Sequence, residues 1–127
     1  MVIVQDGRVA LIKRVRAGRT YYLFPGGGVE EGESPEQAAI REAHEELGVE
    51  VELGEARYEE DFDRSRFVYF DALIVGGEFG TGLWPDHADR DASARERSGT
   101  HEPVWVPLEE LAGLDVRPRA LVGLLGA

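Results

Sequence analysis

The pattern of apolar and polar positions opens with a hairpin. Met1 to Gln5 is apolar and β-branched, Asp6-Gly7 is a two-residue turn signal, and Arg8 to Val15 resumes as a strand. Both alternating sets of that second strand are apolar until Lys13, the pattern of a strand covered on both faces. Tyr21 to Phe24 predicts a third strand, which Pro25 and three glycines break. The period then turns helical. Ser34 is a good N-cap, Pro35 suits the first helical position, Gln37 completes a capping box, and Gly48 stands where a left-handed cap belongs. A helix is expected over Pro35 to Leu47, with Ala39, Ile40, Ala43 and Leu47 on its buried arc.

Beyond the helix, Val49 to Glu59 and Arg66 to Val75 read as strands, the second apolar on both faces. Between them Asp61, Asp63 and Ser65 have the spacing of a calcium loop, but its glycine and closing glutamate are missing, so a polar hairpin turn is expected. Gly76 to Pro103 shows neither period; a connection of that length is functional or disordered. Within it Trp84 reads as a lid or a contact between two copies. Val104 to Val106 is the last expected strand. Pro107 opens a short helix through Leu111, and Pro118 a terminal one with a stripe of Leu121, Leu124 and Leu125. The alternation predicts an α/β (α+β) fold, a mixed sheet between helical layers, in one domain over residues 1–127.

Composition narrows the chemistry. No cysteine occurs, which excludes disulfides, thiolate catalysis and Cys-ligated zinc and makes a cytoplasmic location the expectation. No apolar run of roughly 18 residues and no charged-then-apolar leader suggests a membrane span or a signal peptide. The formal net charge of −11 disfavours a nucleic-acid backbone as partner, whereas a small polyphosphate carried in with its metal escapes that objection. Against this background Lys13, Arg14, Arg16 and Arg19 form a local basic cluster. It reads either as a solvated strand end or as a phosphate clamp, since arginine forks match phosphate oxygens.

Glu42, Glu45 and Glu46 stand at i, i+3 and i+4 of the expected helix, a spacing at which like charges repel. They form either a solvated acidic face or a site for a hard cation such as Mg2+ or Mn2+. The stretch around them decides which comparison to make. From Gly27 it fits G-x5-E-x7-R-E-U-x-E-E-x-G-U, with U aliphatic: Gly27, Glu33, Arg41-Glu42, Ala43, Glu45-Glu46, Gly48 and Val49. This resembles the signature of the Nudix hydrolases (MutT-like), with Ala43 a small filler of the first U position. Phe24-Pro25-Gly26-Gly27 before the box and Trp105 to Leu111 near the end are similar to the family too.

The resemblance implies an α/β/α sandwich with a central mixed sheet and an Mg2+- or Mn2+-dependent pyrophosphatase. Its substrate would be a nucleoside diphosphate linked to another moiety, hydrolysed by water attack at phosphorus. It assigns Glu42, Glu45, Glu46 and the Gly27 carbonyl to metal, and Glu33 with Arg41 to orienting the glutamates. The base would be Glu45, Glu46, or an acid from a later loop, for which Glu102 and Glu96 are the candidates. Arg14, Arg16 and Arg19 would contact phosphate, and a homodimer follows family habit. The marks of several subfamilies are missing: Arg64 and Ser65 stand where ADP-ribose-specific relatives carry proline, and Tyr69 lies past the tyrosine position of diadenosine-polyphosphate relatives. Thr20 replaces a glycine of the coenzyme A pyrophosphatases. A rival reading is a catalytically silent nucleotide- or metabolite-binding sensor on the same fold, which the intact Glu45 and Glu46 disfavour.

Overall fold

Strand β2 (Arg8–Arg16) is the axis of the molecule. The computed structural model describes residues 1–26, 28–62, 64–82 and 99–126. One edge of β2 pairs antiparallel with β6 (Thr100–Pro107) from Arg8↔Pro107 to Val15↔Thr100. The other edge is therefore left to β1 (Val4–Gln5) and β3 (Arg19–Leu23), which follow one another along it. Asp6 and Gly7, then Ala17 and Gly18, all have positive φ, the backbone of tight turns between twisted strands. A short β7 (Val116–Arg117) adds in parallel to β3 and makes the sheet mixed. The second sheet is a long antiparallel hairpin of β4 (Val49–Phe62) and β5 (Ser65–Gly77), whose register shifts mark irregular pairing. Val2 joins the two sheets by accepting from Ala72 and donating to Phe70.

Because both faces of β2 are covered, the core has two halves. Val9 and Leu11 pack with Val106, Leu111, Leu121 and Val122 on one side. Ala10 and Ile12 pack with Ala43, Leu47 and Val49 on the other, beneath the acidic helix. That helix begins as expected: α1 (Pro35–Glu42) carries the full Ser34/Gln37 capping box, and Gly48 closes the segment at φ 78°. Its last turn differs. Ala43–Leu47 is π-helical rather than α-helical, a departure that concentrates at functional sites. The C-terminal layer is a 3₁₀ turn (Leu108–Gly113) and α2 (Arg119–Leu124).

Four expectations need correction. Ile40 is 49% exposed and Ala38 is buried in its stead, because the buried arc is centred on Glu42. Leu73 and Val75 are more than half exposed, because on that face of β5 the core packing is made by Phe67 and Tyr69 and does not extend to them. Leu124 is likewise exposed, and Leu121 and Val122 carry the packing of α2. The segment from Gly76 to Pro103 is shorter than expected as a loop: β5 runs to Gly77 and β6 starts at Thr100. Trp84 and Glu96 lie outside the described residues, as do Gly27 and Asp63. Ser65 begins β5, and Arg64 turns the hairpin at φ 65°.

Candidate active site

The helix brings its acids to the chain's glycine turn. Glu42 is 4% exposed, and its Oε2 is buried with no hydrogen-bond partner among the described residues. Four residues on, Glu46 Oε2 accepts the Gly26 N–H at 3.0 Å. Gly26 has φ 138°, a conformation side chains resist, and a Cβ there would stand 3.6 Å from Glu42 Oε2. The turn therefore needs glycine to bring its backbone against both carboxylates. Burial, with repulsion from Glu46, pushes the Glu42 carboxyl up to about 8. Burial also raises Glu46, to about 7, although the Gly26 N–H pulls the other way. Arg41 pulls both carboxyls down, but burial outweighs it.

Arg41 organises the rest. Its fork takes Glu33 through Nε (2.8 Å to Oε2) and Nη2 (3.1 Å to Oε1), the planar geometry that binds strongly. Glu33 Oε1 also accepts the Glu30 N–H, so the loop before α1 is pinned to the helix. The Arg41 hydrogen bonds hold Glu33 below the usual carboxylate range. Nη1 donates to Glu45 Oε2 at 3.1 Å, and Nη2 lies 3.6 Å from Glu42 Oε1. Glu33, Arg41, Glu42, Glu45 and Glu46 thus form one connected centre.

The other candidates lie elsewhere. Glu102 pairs with Lys13 on β6, and the unbroken register puts it on the sheet face of Leu11 and Val104. The helix packs on the opposite face with Ala10 and Trp105, so the structure does not bring Glu102 beside the glutamates. Arg14 donates through Nε to the Thr100 carbonyl and lies over Tyr21. Arg16 and Arg19 face one another at the end of the β2–β3 hairpin and line a recess with Tyr21, Asp115 and Arg117. Sequence reasoning missed the feature that adjoins the acids, a cavity of about 400 Å³ reaching Gly26. Tyr21, Phe24, Phe67 and Tyr69 give it an aromatic lining, and Glu60 and Arg117 contribute charge. Only the alternation of aromatics in 67–69 signalled it. Burial raises the Tyr69 phenol far above its ordinary value, with Glu60, Glu42 and Glu46 all adding to the effect. The same phenol therefore feels the acids of the helix and the carboxylate of the cavity.

Among the described residues no three His, Asp or Glu side chains are grouped to enclose a metal by themselves. Mg2+ does not need such a cage, because it keeps several waters and commonly takes one or two carboxylates plus substrate phosphate. The partnerless Glu42 Oε2 beside Glu46 fits that mode.

The NUDIX domain profile matches residues 1–122. The chain belongs to the Nudix family. Mouse diphosphoinositol polyphosphate phosphohydrolase 3-alpha is 34% identical over 91 residues, 70% of this chain and 49% of that protein. An RNA pyrophosphohydrolase of Aeromonas hydrophila is 48% identical over 48 residues, 38% of this chain and 26% of its own length. A MutT NUDIX hydrolase from Burkholderia pseudomallei superposes with a TM-score of 0.64 at 26% identity, covering 98% of this chain and 91% of the other. The chain spans about half the length, or less, of the curated relatives it matches. The Nudix architecture agrees with the helix-covered mixed sheet described above. No helix among the described residues is long and apolar enough to cross a membrane.

Proposed function

We propose that this chain hydrolyses the pyrophosphate bond of a nucleoside diphosphate linked to another moiety, with Mg2+ or Mn2+ held by Glu42 and Glu46. The observation that carries the reading is the buried Glu42 Oε2, partnerless among the described residues, and Glu46, both against Gly26, which itself lines an aromatic cavity. A divalent cation there would neutralise phosphate charge and make water a nucleophile at neutral pH. Glu45 would be a third ligand once free of Arg41, and the Gly27 carbonyl that the family resemblance assigns to the metal lies outside the described residues. Gly26 holds Glu46 by its N–H, and Arg41 with Glu33 fixes the helix against the loop. The proton of the attacking water would go to a carboxylate of this centre, Glu45 or Glu46. The aromatic cavity takes the nucleoside, and Arg14, Arg16 and Arg19, set apart from the acidic centre, would serve a further anionic group of the substrate. A densely phosphorylated ring suits this lining less, because Glu60 and the aromatics offer it little.

The test is chromatographic detection of the nucleotide products from nucleotide sugars, ADP-ribose, dinucleoside polyphosphates and modified triphosphates, with Mg2+ or Mn2+ and with EDTA. Metal-dependent turnover that Glu46→Gln abolishes is the expected result. Metal binding without turnover of any compound would favour the silent sensor instead.

A further inference from the structure

The cavity holds one carboxylate that hydrolysis does not use. Glu60 stands opposite Phe67 across the β4–β5 hairpin, and both line the cavity. A strand position facing aromatic rings ordinarily takes an apolar residue, because a carboxylate there gives up part of its hydration. Tyr58 donates its hydroxyl to Glu60 Oε2 at 3.2 Å. Arg117, the cation of the same cavity, has its fork filled by Asp115 at 3.2 and 3.1 Å and lies 4.4 Å from the Tyr21 ring centre. Glu60 is thus an acceptor-only group in an aromatic recess, with the neighbouring guanidinium already engaged.

We infer that Glu60 selects substrates whose base presents two adjacent N–H donors, the edge of a guanine-type ring. The inference rests on the nucleoside reading proposed above and names the base within it. A carboxylate accepts two parallel N–H bonds, as it does from an arginine fork. The ring N–H and exocyclic amine of guanine offer that pair. Adenine and cytosine set an acceptor beside the amine, uracil flanks its one N–H with carbonyls, and hypoxanthine lacks the amine. Tyr21, Phe24 and Phe67 supply rings against which a flat base can lie. A site built to accept hydrogen bonds rejects the analogue that lacks a donor, because its own polar group is then left unpaired.

The decisive experiment is calorimetric binding of guanosine and inosine monophosphates, in Mg2+, to the full chain and to Glu60→Gln. Guanosine should bind roughly 10- to 100-fold tighter than inosine, the range of a good paired contact. Glu60→Gln should bring the two close to parity by weakening guanosine alone, since a carboxamide keeps one acceptor. Tyr58→Phe, which leaves Glu60 in place, should keep the preference. Equal or undetectable binding of the two by the wild type overturns the inference, even if Glu60→Gln does not fold. So does a preference that survives in Glu60→Gln. A guanosine preference without turnover on any compound would sink the hydrolase while leaving Glu60 its role; turnover indifferent to the base would do the reverse.

Discussion

At Glu42 the chain buries a carboxylate oxygen that has no hydrogen-bond partner among the described residues, and stability should report the cost. Its folded pKa of about 8 lies above the ordinary 4.5. A raised carboxyl stabilises fully below the unfolded value, and that contribution drains as pH rises through the folded one. Metal-free protein should therefore lose melting temperature between about pH 4.5 and 8, and Mg2+ at pH 8 should restore it. Because a chain of net charge −11 also loses stability as it charges further, the control is Glu42→Gln, whose slope should be shallower. Parallel slopes in thermal melts would mean that Glu42 is not the group concerned. Its neighbour gives a sharper split between chemistry and structure. Glu46→Gln keeps an oxygen for the Gly26 N–H and removes a like charge, so its melting temperature should hold or rise. Turnover should fall roughly 10²- to 10⁴-fold, the usual weight of a proton-transferring group. A large loss of stability would instead make the glutamate structural.

The helical element that carries these acids is held from outside as well as by its own caps. Residues 78–82 cross its C-terminal end: Glu78 N–H donates to the Gly48 carbonyl and Gly80 N–H to that of Leu47, satisfying groups that a helix end leaves open. A Cβ on Gly82 would fall 2.5 Å from the Glu46 carbonyl carbon and 2.6 Å from the Glu45 oxygen, inside any permitted contact. Gly82→Ala should thus displace the π-helical turn, lowering kcat more than it raises KM and costing about 1–3 kcal/mol of stability. An unchanged kcat would show that the turn is indifferent to this contact. The same element marks what the sequence reveals. Ser34, Pro35, Gln37 and Gly48 act on their immediate neighbours, so the helix bounds were readable, as was the hairpin turn at Asp6-Gly7. The Nudix spacing likewise singled out Glu33, Arg41 and the three helix glutamates, which the fold brings near one another. The π register was not readable, because it depends on contacts made 30 residues later. Ile40 misled because the buried arc is given to an acid, Glu42, that a hydrophobic pattern assigns to solvent. The cavity was hidden for a similar reason: β3, the β4–β5 hairpin and β7 each contribute a piece, and none announces the others.

Across the whole molecule, charge sets how an anionic substrate arrives. The net charge of −11 repels it, while Arg16 and Arg19, brought face to face by the hairpin, pull locally. Two like charges directly opposite on paired strands are unfavourable by themselves. Arg117 shares their recess, but Asp115 answers its charge there. Screening weakens charges separated by more than about 10 Å at 0.1 M salt, so added salt removes the diffuse repulsion more completely than the close attraction. With Mg2+ held in excess, kcat/KM should therefore rise as NaCl goes from roughly 0.01 to 0.15 M. The Arg16→Ala, Arg19→Ala double variant should start lower and rise more steeply, because only repulsion remains. It should also melt at the same temperature or higher, since the cross-strand repulsion is gone. A wild-type kcat/KM that falls with salt would mean that the hairpin arginines, rather than the acidic surface, govern encounter. In that case the double variant should reverse the sign of the salt dependence, and the basic cluster would be a phosphate clamp rather than a solvated strand end.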